Sequence, residues 1–398
     1  MAAHPLVTEY LRLGLAFDRL EDGFVDAYTG DPALRRDVAN APAPEPRQLA
    51  RRAAELRAGL ADAGLTVART EFLDVHLRAL ECSGRKFAGD DIGFVDEVRA
   101  YFDVDITPGD VEDYRDAHRQ MDEVLAGAGP LAERVAAHRK ADEIAPERLA
   151  ACVEAFSSAL RELVRDRYPL PDHEHVTYEV VGDKPWSGFN YYLGNYHSRV
   201  AINSDLKQHM THLPSLIAHE SYPGHHTEHC RKEAGLVAAG QAEQTLFVVN
   251  TPQCLMAEGL ADLALHAIVG PGWGKWAQEI YADLGLRFDG ERAEQLSTAS
   301  AKLLSVRQDA ALLLHDQHRT EDEVAEFLQT WSLATPERAR QSLRFLSSPL
   351  WRAYISTYVE GYRLLGGWLD GAADADDRAD RFRRLLDEPL TPGALRRN

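Results

Sequence analysis

Cysteine is scarce in this chain: Cys82, Cys152, Cys230 and Cys254 are the only four in 398 residues. They lie far apart and none has CxxC spacing. That excludes a disulfide framework and points to reduced thiols in a cytosol. Long apolar runs are missing too. No window approaches the roughly 18 apolar residues of a membrane span. The N-terminal stretch MAAHPLVTEYLRLGLAFDRL has charges every few residues, so no signal peptide is expected and the location reads as cytoplasmic. Positive charge is in deficit. Lysine and arginine number 44 against 63 aspartates and glutamates, a net −19. Nucleic acid and anionic membrane need a basic face, so neither is an expected partner. Internal repeats and low-complexity tails are also absent.

What is present is helical periodicity. Apolar residues recur at helical spacing over 5–25, through Leu6, Tyr10, Leu11, Leu13, Leu15, Phe17 and Leu20. The segment Asn40–Pro46 is a proline-rich break. Helical patterns follow at about 47–65, 68–82, 91–102, 109–126, 130–141 and 146–167. Beyond the middle they resume at about 252–269, 274–285, 290–316, 321–332, 335–346, 349–368 and 376–387. Thr251-Pro252 is a start signal, with proline at the first helical position. The expected fold is mainly α, either as one domain with a cleft or as a helical lobe 1–170 and a site-bearing lobe 171–398.

One region differs. Val176–Val181 alternates and is β-branched, and Ser198–Asn203 reads likewise. Between them lie a turn-rich piece at 182–185 and an aromatic cluster of Trp186, Phe189, Tyr191, Tyr192 and Tyr196. A small antiparallel sheet is expected here, with Ser204 or Asp205 capping the helix that follows.

That helix leads into His219-Glu220-Ser221-Tyr222-Pro223-Gly224-His225-His226. Two imidazoles to hold a metal and one carboxylate to take a proton from water are the raw material of a zinc hydrolase. In an HExxH helix the second histidine falls four residues after the first. Here that position is Pro223, and the next histidines come at six and seven. Pro223-Gly224 can bulge the backbone and bring His225 back toward His219, with His226 as the alternative ligand. Glu258 and Asp262 sit at i, i+4 on one helical face downstream. Glu258 is the expected third ligand, and Asp262 the group that holds a ligand histidine through its outer N–H. The stretch His225–His229 also fits an inverted HxxEH motif, which needs no bulge but leaves His219 and Glu220 without a role.

His219–His226 resembles the HExxPGHH signature of the bacterial "domain of unknown function 885" family. Gly23–Pro32, Ala257-Glu258-Gly259, and Pro349–Tyr354 with Tyr358 and Gly361 resemble further elements of that family, so the likeness spans most of the chain. It implies an elongated all-helical fold of the gluzincin type, akin to oligopeptidases and angiotensin-converting enzyme, and supplies no substrate.

The expected mechanism is hydrolysis at one zinc held by His219, His225 and Glu258, with Glu220 as general base. Tyr358 or Tyr354 is the expected donor to the developing oxyanion, by analogy with a late-helix tyrosine in helical peptidases. Arg352 is a candidate for pairing with a substrate carboxylate, and His197 and His226 for touching substrate. A lone arginine or histidine more often has a structural role. His315 and His318 have no third partner and are read as non-metal. The partner is a short peptide or another small molecule, and the oligomeric state is left open. Three readings compete: a zinc peptidase, a metal enzyme of a biosynthetic pathway acting on a non-peptide metabolite, and a catalytically silent scaffold.

Overall fold

A computed structural model describes residues 4–182 and 187–397. The protein is mainly α, 64% helix and 8% strand. The turn expected at 183–185 and Trp186 lie outside the described residues. Proline opens many of the helices: Pro5–Asp18, Pro32–Asn40, Pro46–Ala58, Pro146–Arg167, Pro252–Ile268 and Pro336–Leu346 all carry it in their first turn. Its missing N–H costs nothing there and its fixed φ suits the helix.

Several boundaries differ from the expected ones. The first helix stops at Asp18, and Val25–Tyr28 forms a strand, β1. The pattern at 290–316 is two helices, Gly290–Ala301 and Val306–His315. Ser204 and Asp205 cap nothing, because the next helix starts only at Leu213. The pattern at 349–368 becomes a turn followed by the helix Ile355–Asp370.

The remaining strands are β2 (His175–Val181), β3 (Gly188–Gly194), β4 (His197–Asn203) and β5 (Leu246–Val248). The expected antiparallel element is the hairpin β3–β4, and β1–β5 is antiparallel as well. The stretches at 176–181 and 198–203 pair parallel, as β2 and β4, with spatial order β2-β4-β3. The aromatic run between them is therefore itself a strand, at the edge of the sheet. Its alternation was hidden because four of its seven residues are large and apolar.

A continuous apolar core runs from Val7 to Leu395. Its central helix, Pro252–Ile268, is buried almost all round. Each leucine it buries (Leu255, Leu260, Leu263 and Leu265 among them) is worth about 1.5–3 kcal/mol. Among the described residues no single helix is long and apolar enough to cross a membrane.

Two close approaches position the site. A Cβ on Gly259 would lie 2.5 Å from the carbonyl carbon of Gly361, so the glycines let Pro252–Ile268 and Ile355–Asp370 cross almost backbone to backbone. A Cβ on Gly224 would lie 2.0 Å from the carbonyl oxygen of His219, so only glycine fits where the chain folds back on the motif helix.

Candidate metal centre

The expected bulge is a full break. The first motif helix, Leu213–Glu220, ends at Ser221. The chain passes through a cis Tyr222–Pro223 bond, and a second helix, His225–Lys232, begins at once. Gly224 N–H donates to the carbonyl of Ala218 at 2.9 Å, which seats the second helix against the end of the first. His219 from the last turn of one helix thus meets His225 from the first turn of the next.

The two Nε2 atoms lie 3.1 Å apart. His219 Nε2 is 3.3 Å from Glu258 Oε2, and His225 Nε2 is 3.8 Å from Glu258 Oε1. A tetrahedral zinc with bonds of about 2.0–2.1 Å keeps its ligand atoms roughly 3.3 Å apart. The three atoms are therefore already at cation-binding separations. His219, His225 and Glu258 form a group of potential ligand atoms all within 4.8 Å of one another. Glu258 Oε2 is buried and has no hydrogen-bond partner, the state expected of an oxygen waiting for a cation.

Asp262 Oδ1 is 3.0 Å from His219 Nδ1, which fixes the ring so that Nε2 faces Glu258. Burial disfavours the His219 imidazolium, but the hydrogen bond to Asp262 and the adjacent Glu258 carboxylate outweigh it and hold its pKa well above the usual value. Burial would likewise raise the Glu258 pKa, yet the two histidines hold it low. Burial, with the charge of His219, pushes His225 down. The donor set fits zinc.

Glu220 follows His219 and is buried. Burial pushes its pKa up to about 7; His219 opposes the rise, and the charges of Glu258 and Asp26 add to it. Its Oε1 would lie 3.1 Å from a Cβ at Gly188, so the strand β3 starts beside it with room made by glycine.

Tyr354 OH donates to Glu258 Oε1 at 2.7 Å. Tyr358 packs against it with ring centroids 5.7 Å apart. Among the described residues no hydrogen bond engages the Tyr358 hydroxyl, which leaves it the freer of the two.

Two expected contacts are corrected, and His197 is held by local contacts. Arg352 bonds Glu97 Oε2 through Nε at 2.7 Å and again through Nη2, so its guanidinium is held in a structural ion pair rather than offered to substrate. His226 is fully buried between Ser198 Oγ, 2.8 Å away, and Glu174 Oε2, 3.0 Å away; it is neither a ligand nor a substrate contact. His197 places Nδ1 2.7 Å from the carbonyl of Asn195 and stacks edge-on to His175, a local turn role. The inverted motif does not assemble: His229 stacks on Tyr192 at 4.5 Å, and Glu228 pairs with Lys232. His315 bonds the carbonyl of Leu346, away from any ligand set.

Two features escaped the sequence. Glu174 gathers Tyr222, His226 and Arg161 into one buried network. Asp26 is the extra residue of a bulge in β1, where Val25 and Ala27 pair with the adjacent Val248 and Phe247. Bulges re-aim side chains; the Asp26 pKa is pushed up to about 7 by burial and then by the charge of Glu258. The only signal for it was its place within the Gly23–Pro32 segment.

No protein-family model matches the sequence, and no curated protein matches it. Two solved structures are similar in fold. A candidate lipoprotein from Colwellia psychrerythraea matches with a TM-score of 0.53 and 16% identity, covering 89% of this chain and 67% of that one. A candidate lipoprotein of unknown function from Shewanella oneidensis matches with a TM-score of 0.52 and 14% identity, covering 92% of this chain and 75% of that one. At these identities the likeness is one of fold alone.

Proposed function

We propose that this protein is a zinc-dependent hydrolase that cleaves small peptides. The observation that carries the reading is the convergence of His219 Nε2, His225 Nε2 and an orphaned Glu258 oxygen at zinc-ligand separations. The sequence resemblance to gluzincin-type peptidases supports it. Zinc held by these residues would act as a Lewis acid and lower the pKa of water toward about 7. Glu220, buried beside the ligand His219, accepts a proton from the attacking water and returns it to the leaving amine. Asp262 keeps His219 in the ligating tautomer. Tyr354 orients Glu258, and Tyr358 donates to the oxyanion. β3, the sheet edge beside Glu220, offers backbone groups to an extended substrate. A cytoplasmic location is part of the reading, since all four cysteines are buried and unpaired.

Elemental analysis tests it. About one zinc per chain is expected, lost in His219→Ala and Glu258→Ala. Glu220→Gln is expected to keep the metal and lose about 10²–10⁴ in turnover of unblocked dipeptides. A zinc-loaded protein inert to every peptide would turn the reading toward a non-peptide metabolite. A protein that takes up no zinc would end it.

A further inference from the structure

The second motif helix continues past the candidate centre, and its next turn lines a separate cavity. Glu228, His229 and Lys232 form one wall, and Gln253 of the helix Pro252–Ile268 another. Gln244 and Thr245, from the single-turn helix Ala242–Thr245, help to close it. None of His219, His225 and Glu258 lines it. It encloses about 20 Å³, room for one water-sized occupant.

The lining leaves polar atoms without partners among the described residues. Glu228 is 3% exposed; Lys232 Nζ donates to its Oε1, but Oε2 is buried and makes no hydrogen bond. Gln253 is 6% exposed, and its Oε1 is in the same state. Both polar ends of the Gln244 amide are buried and unpartnered, so this side chain can present an oxygen whichever way it is turned. Three acceptor groups thus converge on one small space, and each carries a desolvation cost that an occupant would offset.

The charge of the wall selects the occupant. Two carboxylates, Glu228 and Glu233, line the cavity against one ammonium, Lys232. Glu233 accepts only from neutral donors, Tyr192 OH and Asn195 N–H, so its charge is not offset. His229 adds no positive charge, because burial pushes its pKa well below the usual value. The excess is negative and disfavours an anion. A single water has two protons for three acceptor groups and no charge to offset the excess. Divalent ions of the hard type want six or more oxygens, several of them carboxylate; here one carboxylate oxygen and two amides are free, with an ammonium beside them. Nor is this a second centre of the zinc type: among the described residues, the one group of three or more His, Cys, Asp and Glu ligands at metal-binding distances is His219, His225 and Glu258. What fits is a single positive charge bound by oxygens.

We infer that this cavity binds a small monovalent cation, held by Glu228 Oε2 and the amide oxygens of Gln244 and Gln253. Glu228 belongs to the helix of His225 and Gln253 to that of Glu258, so the ion joins the two helices that carry those candidate ligands. The test compares thermal unfolding of the protein in sodium, potassium and choline chloride at equal ionic strength, choline being too large for the cavity. Tm is expected to be about 3 °C higher in the sodium or the potassium salt than in choline. Glu228→Gln removes the carboxylate but also strands Lys232, so the deciding variant is Gln253→Met, which keeps the volume and removes the amide oxygen. Its Tm is expected to be the same in all three salts. Crystals soaked in a thallium(I) salt are expected to show an anomalous peak in contact with Glu228 and Gln253. Equal Tm of the unsubstituted protein in the three salts, a salt preference that Gln253→Met leaves intact, or a cavity with no anomalous peak overturns the inference. Neither readout involves turnover or zinc, so the site stands or falls apart from the hydrolase reading.

Discussion

Tyr358 separates binding from chemistry most cleanly among single residues. Tyr354 is bonded to Glu258, whereas among the described residues the Tyr358 hydroxyl, on the neighbouring ring, has no hydrogen bond. Loss of a donor needed only as charge develops lowers kcat without weakening the ground state. Tyr358→Phe is therefore expected to lose about 10²–10³ in kcat, with KM and zinc content near those of the wild type. A rise in KM with kcat unchanged would place this ring in substrate packing instead. At this scale much of the site was legible. His219, Glu220, Glu258 and Asp262 follow from donor chemistry and helical spacing, whereas the choice of His225 over His226 needed the backbone break. His226 and Arg352 did not, because which side chain finds a buried partner depends on Glu174 and Glu97, far away in the chain.

Between elements, two junctions hold the site together. Gly259 and Gly361 let two helices touch, and that contact carries Tyr354 to Glu258. Gly259→Ala forces a Cβ into the facing backbone, and such overpacking costs typically 1–3 kcal/mol. It is expected to lower the denaturant midpoint and weaken zinc binding together; a stability loss with unchanged zinc affinity would detach the crossing from the site.

The second junction is Glu174, which clasps Arg161 of Pro146–Arg167, Tyr222 of the break and His226 of the second motif helix. Burial alone would raise its pKa, but the bonds from His226, Tyr222 and Arg161 bring it from 4.5 down to about 2. A folded pKa below the unfolded one contributes stability above about pH 4.5, lost as pH falls toward 2. Glu174→Gln is expected to be less stable by about 3 kcal/mol at pH 7. That gap should narrow below pH 4.5 and close near pH 2. A gap independent of pH would mean that the clasp works through packing rather than charge.

For the molecule as a whole, the candidate centre is lodged in a core that does not depend on it. The apolar cluster runs from Val7 to Leu395, through helices that contribute nothing to the ligand set. Removal of metal by a chelator is therefore expected to leave the far-ultraviolet circular dichroism unchanged. Tm should fall modestly, because zinc at 100 times its Kd adds about 2.7 kcal/mol. Loss of helical signal on chelation would make the metal a folding requirement.

Composition and periodicity determined that the chain is mainly helical, with a small β-element ahead of the motif, and which residue types were available for metal chemistry. These are local properties, written at spacings of two to four residues. Tertiary structure alone decided that the motif is two helices rather than one bulged helix, that β2 and β4 run parallel, that Asp26 sits on a strand bulge, and that Arg352 is paired with Glu97. Each of those outcomes depends on which distant group reaches a side chain first, and one-dimensional spacing carries no record of that.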